Sequence, residues 1–166
     1  MDASQLHSPL GFTTNTIFWA AFWSWCSAQC IKMAISFRKT RKIDFRYLGS
    51  TGGMPSAHSA TVAGLATSTG MLQGFDSALF ALSCVFAIIT MFDASTVRYQ
   101  AGRQAAVLNQ ITAQLNDTGK PQVPQSMLKE LLGHTKIQVF AGMFWGIFFA
   151  AVYTFVSVFL NTPVAE

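Results

Sequence analysis

Five polar residues interrupt or border the apolar runs of this chain: Lys32, His58, Asp93, Arg98 and His134. Their side-chain types suit phosphate chemistry. An imidazole can attack phosphorus or hand a proton to a leaving oxygen. Lysine and arginine neutralise phosphate oxygens, arginine through a planar fork that meets two of them at once. Two histidines with lysine and arginine neighbours therefore make a candidate site for a phosphate ester. The stretch GGMPSAHSA, residues 52–60, places a turn in front of His58. Its glycines leave room for an anion at the backbone. Pro55 suits the first position of a helix, and a helix N-terminus is itself an anion site. Taken singly, each residue also has a plainer role. His58 could cap a helix start, and His134 after Gly133 could sit at a helix C-cap. Asp93 could pair with Arg98, five residues on. Arg38, Lys39, Arg41 and Lys42 could be topology signals only.

What sets these residues apart is where they fall relative to the hydrophobic runs. Hydrophobic residues make up 51% of the 166-residue chain and charged residues 11%, against about 25% charged in a typical soluble domain. Apolar runs cover residues 15–37, 55–72, 77–97 and 137–160, and a bilayer crossing needs about 20 residues. The expected fold is all-α: a polytopic membrane helical bundle of about four transmembrane helices plus one or two amphipathic or cytoplasmic helices. It is a single membrane domain spanning 1–166, with a polar helical insertion at 98–136. The second run is rich in Ala, Ser, Thr and Gly, which suits a bundle interior, and Gly142 and Gly146 in the fourth form a small-xxx-small pattern for helix packing.

Four spans put both termini on one side and the loop 38–54 with the insertion on the other. All 11 basic residues then fall on that second side, with Lys32 near the end of the first span. The positive-inside rule makes this face cytoplasmic and the termini external, in the cell (inner) membrane. Lys32, His58, Asp93, Arg98 and His134 meet there at one membrane depth. Within the insertion, Ala101, Ala105, Leu108, Ile111 and Leu115 recur at helical spacing. DTGKPQVP reads as a turn, and SMLKELLGH as a short helix stopped by Gly133. Cys26, Cys30 and Cys84 lie in apolar runs and read as packing residues. No basic, aromatic-studded surface suggests nucleic-acid binding, and the N-terminus lacks the basic start of a cleaved signal peptide.

At AQCIK (28–32), RKIDF (41–45), STGGMPSAHSA (50–60), GFDS (74–77), FDASTVRYQAGRQAAVLNQ (92–110) and LKELLGHT (128–135), the sequence resembles the divergent branch of the type-2 phosphatidic acid phosphatase superfamily. These small membrane proteins are related to acid phosphatases and vanadium haloperoxidases. The resemblance implies a helical core and a phosphohistidine mechanism without a cofactor or metal. His134 looks like the nucleophile, and His58 like the acid that protonates the leaving group. Lys32, Ser56 and Arg98 match phosphate-binding positions, Lys39 stands where the pattern has an arginine, and Arg38 and Arg41 are neighbouring candidates. Gln138 falls where an acidic residue would orient the nucleophile, so Asp93 is a candidate for the missing carboxylate. Three further features depart from the superfamily pattern: Ala57 replaces a glycine, Lys39 an arginine, and 36 positions separate Arg98 from His134.

The resemblance also implies more helices than four spans supply. A homodimer, or the insertion packed on the bundle, could provide the rest. The function expected is an integral membrane phosphatase that hydrolyses a lipid phosphate or a polyprenyl (di)phosphate. The alternative is a non-catalytic binder or transporter of anionic lipids on the same scaffold. The partner expected in either case is a membrane lipid.

Overall fold

A computed structural model describes residues 13–41, 53–117, 128 and 133–161. Among the described residues five helices follow one another: α1 (Thr16–Thr40), α2 (Ala57–Gln73), α3 (Ala78–Ser95), α4 (Val97–Asp117) and α5 (Lys136–Asn161). No strand occurs among the described residues. Side-chain oxygens that accept backbone N–H groups start four of the helices: Asn15 from Phe18 at 3.0 Å, Ser56 from Ser59 at 3.3 Å, Ser77 from Phe80 at 3.1 Å and Thr135 from Gln138 at 3.4 Å. Each fills one of the donor sites that a helix start leaves open. Gly74, at φ 93°, ends α2. Ser77 then donates from Oγ to the Gly74 carbonyl at 2.8 Å, which closes the turn into α3.

α2 occupies the middle of the bundle and packs on α1, α3 and α5, while α1 also meets α5. Its small residues explain that place. A Cβ added at Gly142 of α5 would run into the Ser56 carbonyl, and one at Gly146 into the Ala60 carbonyl. The glycine pair expected to mark a packing face thus lets α5 lie directly on the backbone of α2. Hydroxyls and an indole add bonds between helices. Trp145 Nε1 donates to Ser27 Oγ at 2.9 Å, and Thr154 and Ser68 share a bond at 3.0 Å.

Burial runs opposite to that of a soluble protein, where Leu, Ile and Phe go inside. The largest fully buried side chains are Thr154, Ser24, Ser56, Ser59 and Ser68. Leu82, Phe86, Ile88, Ile89 and Phe92 of α3 face outward, as do Phe144, Phe148, Phe155 and Phe159 of α5. In hydrocarbon the apolar exterior costs nothing. Close approach of small residues and interhelical hydrogen bonds then hold the helices together. Among the described residues, two helical stretches are long and apolar enough to cross a membrane: Ala78–Leu115, which is α3 running into α4, and Lys136–Leu160. The expected runs at 15–37 and 55–72 appear as α1 and α2.

Between α3 and α4 the chain bends at Thr96 (φ −119°, ψ −73°). Ser95 Oγ bonds back to the Met91 carbonyl at 2.9 Å, and Thr96 Oγ1 bonds to that of Phe92. Such back-bonding hydroxyls commonly bend helices. One sequence expectation needs correction. Pro55 does not open α2, because Ser56 is the N-cap and the helix starts at Ala57. The amphipathic face expected on α4 is present, and most of its apolar stripe turns outward. Ala105 is buried, whereas Leu108, Ile111 and Leu115 are exposed. The short helix expected at SMLKELLGH, and the loop with Lys42 and Arg46, fall mostly or wholly outside the described residues.

Candidate active site

A small cleft at one end of the bundle is lined by His58, Thr90, Asp93, Ala94, Arg98, Gly133 and His134. Four elements build it. α2 offers His58 on its first turn. α3 brings Thr90, Asp93 and Ala94, and α4 brings Arg98. The residues just before α5 bring Gly133 and His134. The two imidazole rings lie 6.2 Å apart, centre to centre, at an angle of 59°. The 36 sequence positions between Arg98 and His134 therefore close up in space. His134 N donates to the Ala94 carbonyl at 2.9 Å, which ties the incoming chain to the end of α3. Gly133, at φ 80°, presses so near the backbone of Arg98 and Tyr99 that a Cβ would strike it. Only glycine adopts that φ readily and fits that gap.

His134 is buried, with 2% of its surface exposed, and one hydrogen-bond pattern fixes its protonation. Gln138 Oε1 accepts from Thr135 N at 3.1 Å and lies 3.2 Å from His134 Nδ1. The backbone N–H can only donate, so the Gln138 atom facing it is the oxygen. His134 Nδ1 then carries the proton, and Nε2 keeps the lone pair. Nε2 is itself buried and has no partner at hydrogen-bond geometry among the described residues, although the Gly53 backbone lies close enough to act on the ring as a hydrogen-bond acceptor. Burial is the largest influence on the ring and pushes its pKa below the usual histidine value. The Gln138 bond opposes this, the charges of Lys32 and His58 add to it, and the nearby Gly53 backbone opposes it again. At neutral pH the ring is held uncharged with one free lone pair, the state a nucleophile needs.

Arg98 Nε bonds Asp93 Oδ2 at 2.6 Å across the bend between α3 and α4. This corrects the assignment of Asp93 as the carboxylate that orients the nucleophile. The acid holds Arg98, and Gln138 occupies the orienting place. Lys32 is buried in α1, and its methylenes pack on Gly53. It acts on the His134 ring through its charge without lining the cleft. Ser56 is not a phosphate ligand in this arrangement. Fully buried, it caps α2 with its hydroxyl, and its N–H donates to the Gln138 carbonyl at 3.0 Å. That bond joins the His58 helix to the element that carries His134. Arg41 is also displaced from its expected role. It is the exposed left-handed C-cap of α1, at φ 55°, about 13 Å along the axis from Lys32. Lys39 lies in the last turn of α1, and its side chain is outside the described residues. Sequence reasoning missed Thr90 and Ala94. A threonine three residues before Asp93 was the only available signal for the first. A carbonyl acceptor such as Ala94's leaves no mark in sequence.

Residues 13–149 match the Divergent PAP2 family, a stretch that includes every residue of the cleft. The chain belongs to that family. One relative is the uncharacterized membrane protein YuiD of Bacillus subtilis (strain 168), 46% identical over 134 residues that cover 75% of this chain and 85% of the relative. No solved structure matches. Membership in the divergent PAP2 family suggests phosphatase-like chemistry. Together with the two apolar helices, the relative's description as a membrane protein supports a membrane location for this family member.

Proposed function

We propose that this divergent PAP2 protein is an integral membrane phosphatase that acts on a lipid phosphate or a polyprenyl (di)phosphate. The observation that supports this best is the state of His134: buried, protonated at Nδ1 by its bond to Gln138, and free at Nε2 beside His58 and Arg98. In the first step Nε2 attacks phosphorus, and the bond from phosphorus to the ester oxygen breaks. An imidazolium at His58 gives its proton to that oxygen, so the alcohol or shorter phosphate leaves neutralised at that atom. In the second step His58, now neutral, takes a proton from water, whose oxygen attacks the phosphohistidine and releases phosphate. Arg98, steadied by Asp93, holds the phosphoryl oxygens, and the Lys32 charge lies behind them. The basic residues support a cytoplasmic placement of this end, with the termini outside and the lipid tail left among the exposed side chains of α3.

Purified protein tests the reading. Phosphate release from phosphatidate or a prenyl diphosphate should fall about 10²–10⁴-fold in His58→Ala and reach background in His134→Ala. An acid-labile phosphoenzyme should form in the wild type and vanish in His134→Ala. Vanadate, which mimics the five-coordinate phosphoryl state, should inhibit.

One observation favours a second reading, a non-catalytic binder or transporter of anionic lipids. Gln138 carries no charge, so it does not stabilise an imidazolium at His134 as a carboxylate would. Lipid phosphate that binds, is returned intact and binds equally well to His134→Ala would sink the enzyme in favour of the binder.

A further inference from the structure

α4 shows one unusual contact. Asn109 meets the backbone of Leu128 at both of its polar groups: Asn109 Nδ2 donates to the Leu128 carbonyl at 3.0 Å, and Leu128 N donates to Asn109 Oδ1 at 3.0 Å. A side-chain amide is the neutral group that can satisfy both sides of one peptide residue in this way. The contact joins positions 19 apart and fixes where Leu128 lies along α4.

A second fixed point lies at the start of the same helix, where Gly133 fits against the backbone of Arg98 and Tyr99. Between the two points Gly102 and Ala105 are buried. Positions 98, 102, 105 and 109 follow at spacings of four, three and four, so they form one face of the helix. That face is separate from the exposed stripe of Leu108, Ile111 and Leu115. Its backbone is closely approached at the near end by Gly133, its middle is small at Gly102 and Ala105, and its far end is polar at Asn109.

The geometry points to Asn109 as a positioning residue for His134. Its grip on Leu128, with the Gly133 notch, sets the register in which the returning chain lies on α4 and so delivers His134 beside Arg98. The inference rests on the phosphatase reading only for its kinetic consequence, since the placement of the imidazole is a property of the fold. α4 leads away from Arg98, and the same helix meets the chain again at Leu128 and at Gly133, beside His134.

The test compares Asn109→Ala, which loses both bonds, with Asn109→Asp, which keeps an acceptor for Leu128 N–H and loses the donor. Both are made in the full-length protein in detergent. With a water-soluble phosphate ester or phosphatidate as substrate, kcat should fall on the order of 10²-fold in Asn109→Ala, the scale of an ångström-level misplacement. KM should stay within about twofold, and Asn109→Asp should recover part of the loss. Independently of turnover, the His134 imidazole should titrate nearer the ordinary histidine value of about 6.5 in Asn109→Ala as its burial loosens. It is followed by NMR of histidine-labelled protein, with only 3 histidines to assign. The His58 signal should change little. If wild-type protein releases no phosphate, the phosphatase reading fails and the NMR comparison still decides the placement. An unchanged His134 titration in a folded Asn109→Ala overturns the inference, even in an active enzyme. So does an equal, unrescued loss in both variants with His134 unmoved.

Discussion

Two contacts in this molecule bring distant pieces of chain together in opposite ways. Where α5 crosses α2, Gly142 and Gly146 lie on the carbonyls of Ser56 and Ala60, and backbone meets backbone with no side chain between. Where the returning chain meets α4, one glycine notch and one asparagine amide share the work. The first contact is deep, apolar and steric. The second is peripheral, polar and directional, and it carries a catalytic candidate. The frame of the bundle and the placement of its chemistry thus depend on different kinds of interaction, and they should fail separately.

The strongest way to break that separation is at the crossing. Gly142→Val puts methyl groups where the Ser56 carbonyl lies and should destabilise the bundle by about 3 kcal/mol or more, at or beyond the upper end of overpacking costs. Thermal unfolding in detergent reads this directly, and an unshifted midpoint would show that the helices have room to part. Gly133→Ala should do the reverse. It strains a φ of 80° and collides with the α4 backbone, so phosphate release should drop about 10²-fold while the unfolding midpoint moves only slightly. Equal effects on both measurements would merge the two regions into one.

Smaller changes sharpen the site end. Gln138→Leu removes the acceptor shared by His134 Nδ1 and Thr135 N. It should cut turnover about tenfold, and imidazole NMR should show a mixture of tautomers. Gln138→Glu places a carboxylate against the ring. That should raise its pKa and move the acid limb of the rate profile to higher pH. The gentlest effect is on stability against pH. The His134 pKa is lowered in the folded protein, so the native state binds fewer protons there than the unfolded chain. The contribution of this group is fully present above its unfolded pKa of about 6.5 and is lost as pH falls through the lower folded value. Unfolding midpoints should therefore decline from about pH 7 to pH 5, and His134→Gln should flatten the decline.

Much of the frame was legible because its signals are local. The apolar runs became helices, and the spacing of Gly142 and Gly146 marked a real crossing. Gln138, four positions after His134, is within reach because the first turn of α5 folds its side chain back over Thr135, the residue that precedes the helix. The errors came where a residue had two uses. Ser56 resembles a phosphate ligand by motif, but a serine at a helix start is claimed first by the orphan amide groups, and burial then seals it in. Asp93 was available to either His134 or Arg98, and the bend at Thr96 decided for Arg98. The periodicity of α4 was real, yet periodicity cannot say that Ala105 turns inward while Leu108 does not. The Asn109–Leu128 contact was invisible, because half of it is peptide group and every residue has one.

The reversed burial has a consequence for how this gene would tolerate change. In a soluble protein the intolerant positions are the large side chains, and shrinking them is what does damage. Here the interior holds Ser24, Ala28, Ser59, Ala60, Ser68 and Ala150, which have almost nothing to lose, while phenylalanines crowd the outside. A saturation scan should read as the inverse of the familiar map. Truncation to alanine should pass nearly silently along the outer faces of α3 and α5. Enlargement by a single carbon should be purged along α2.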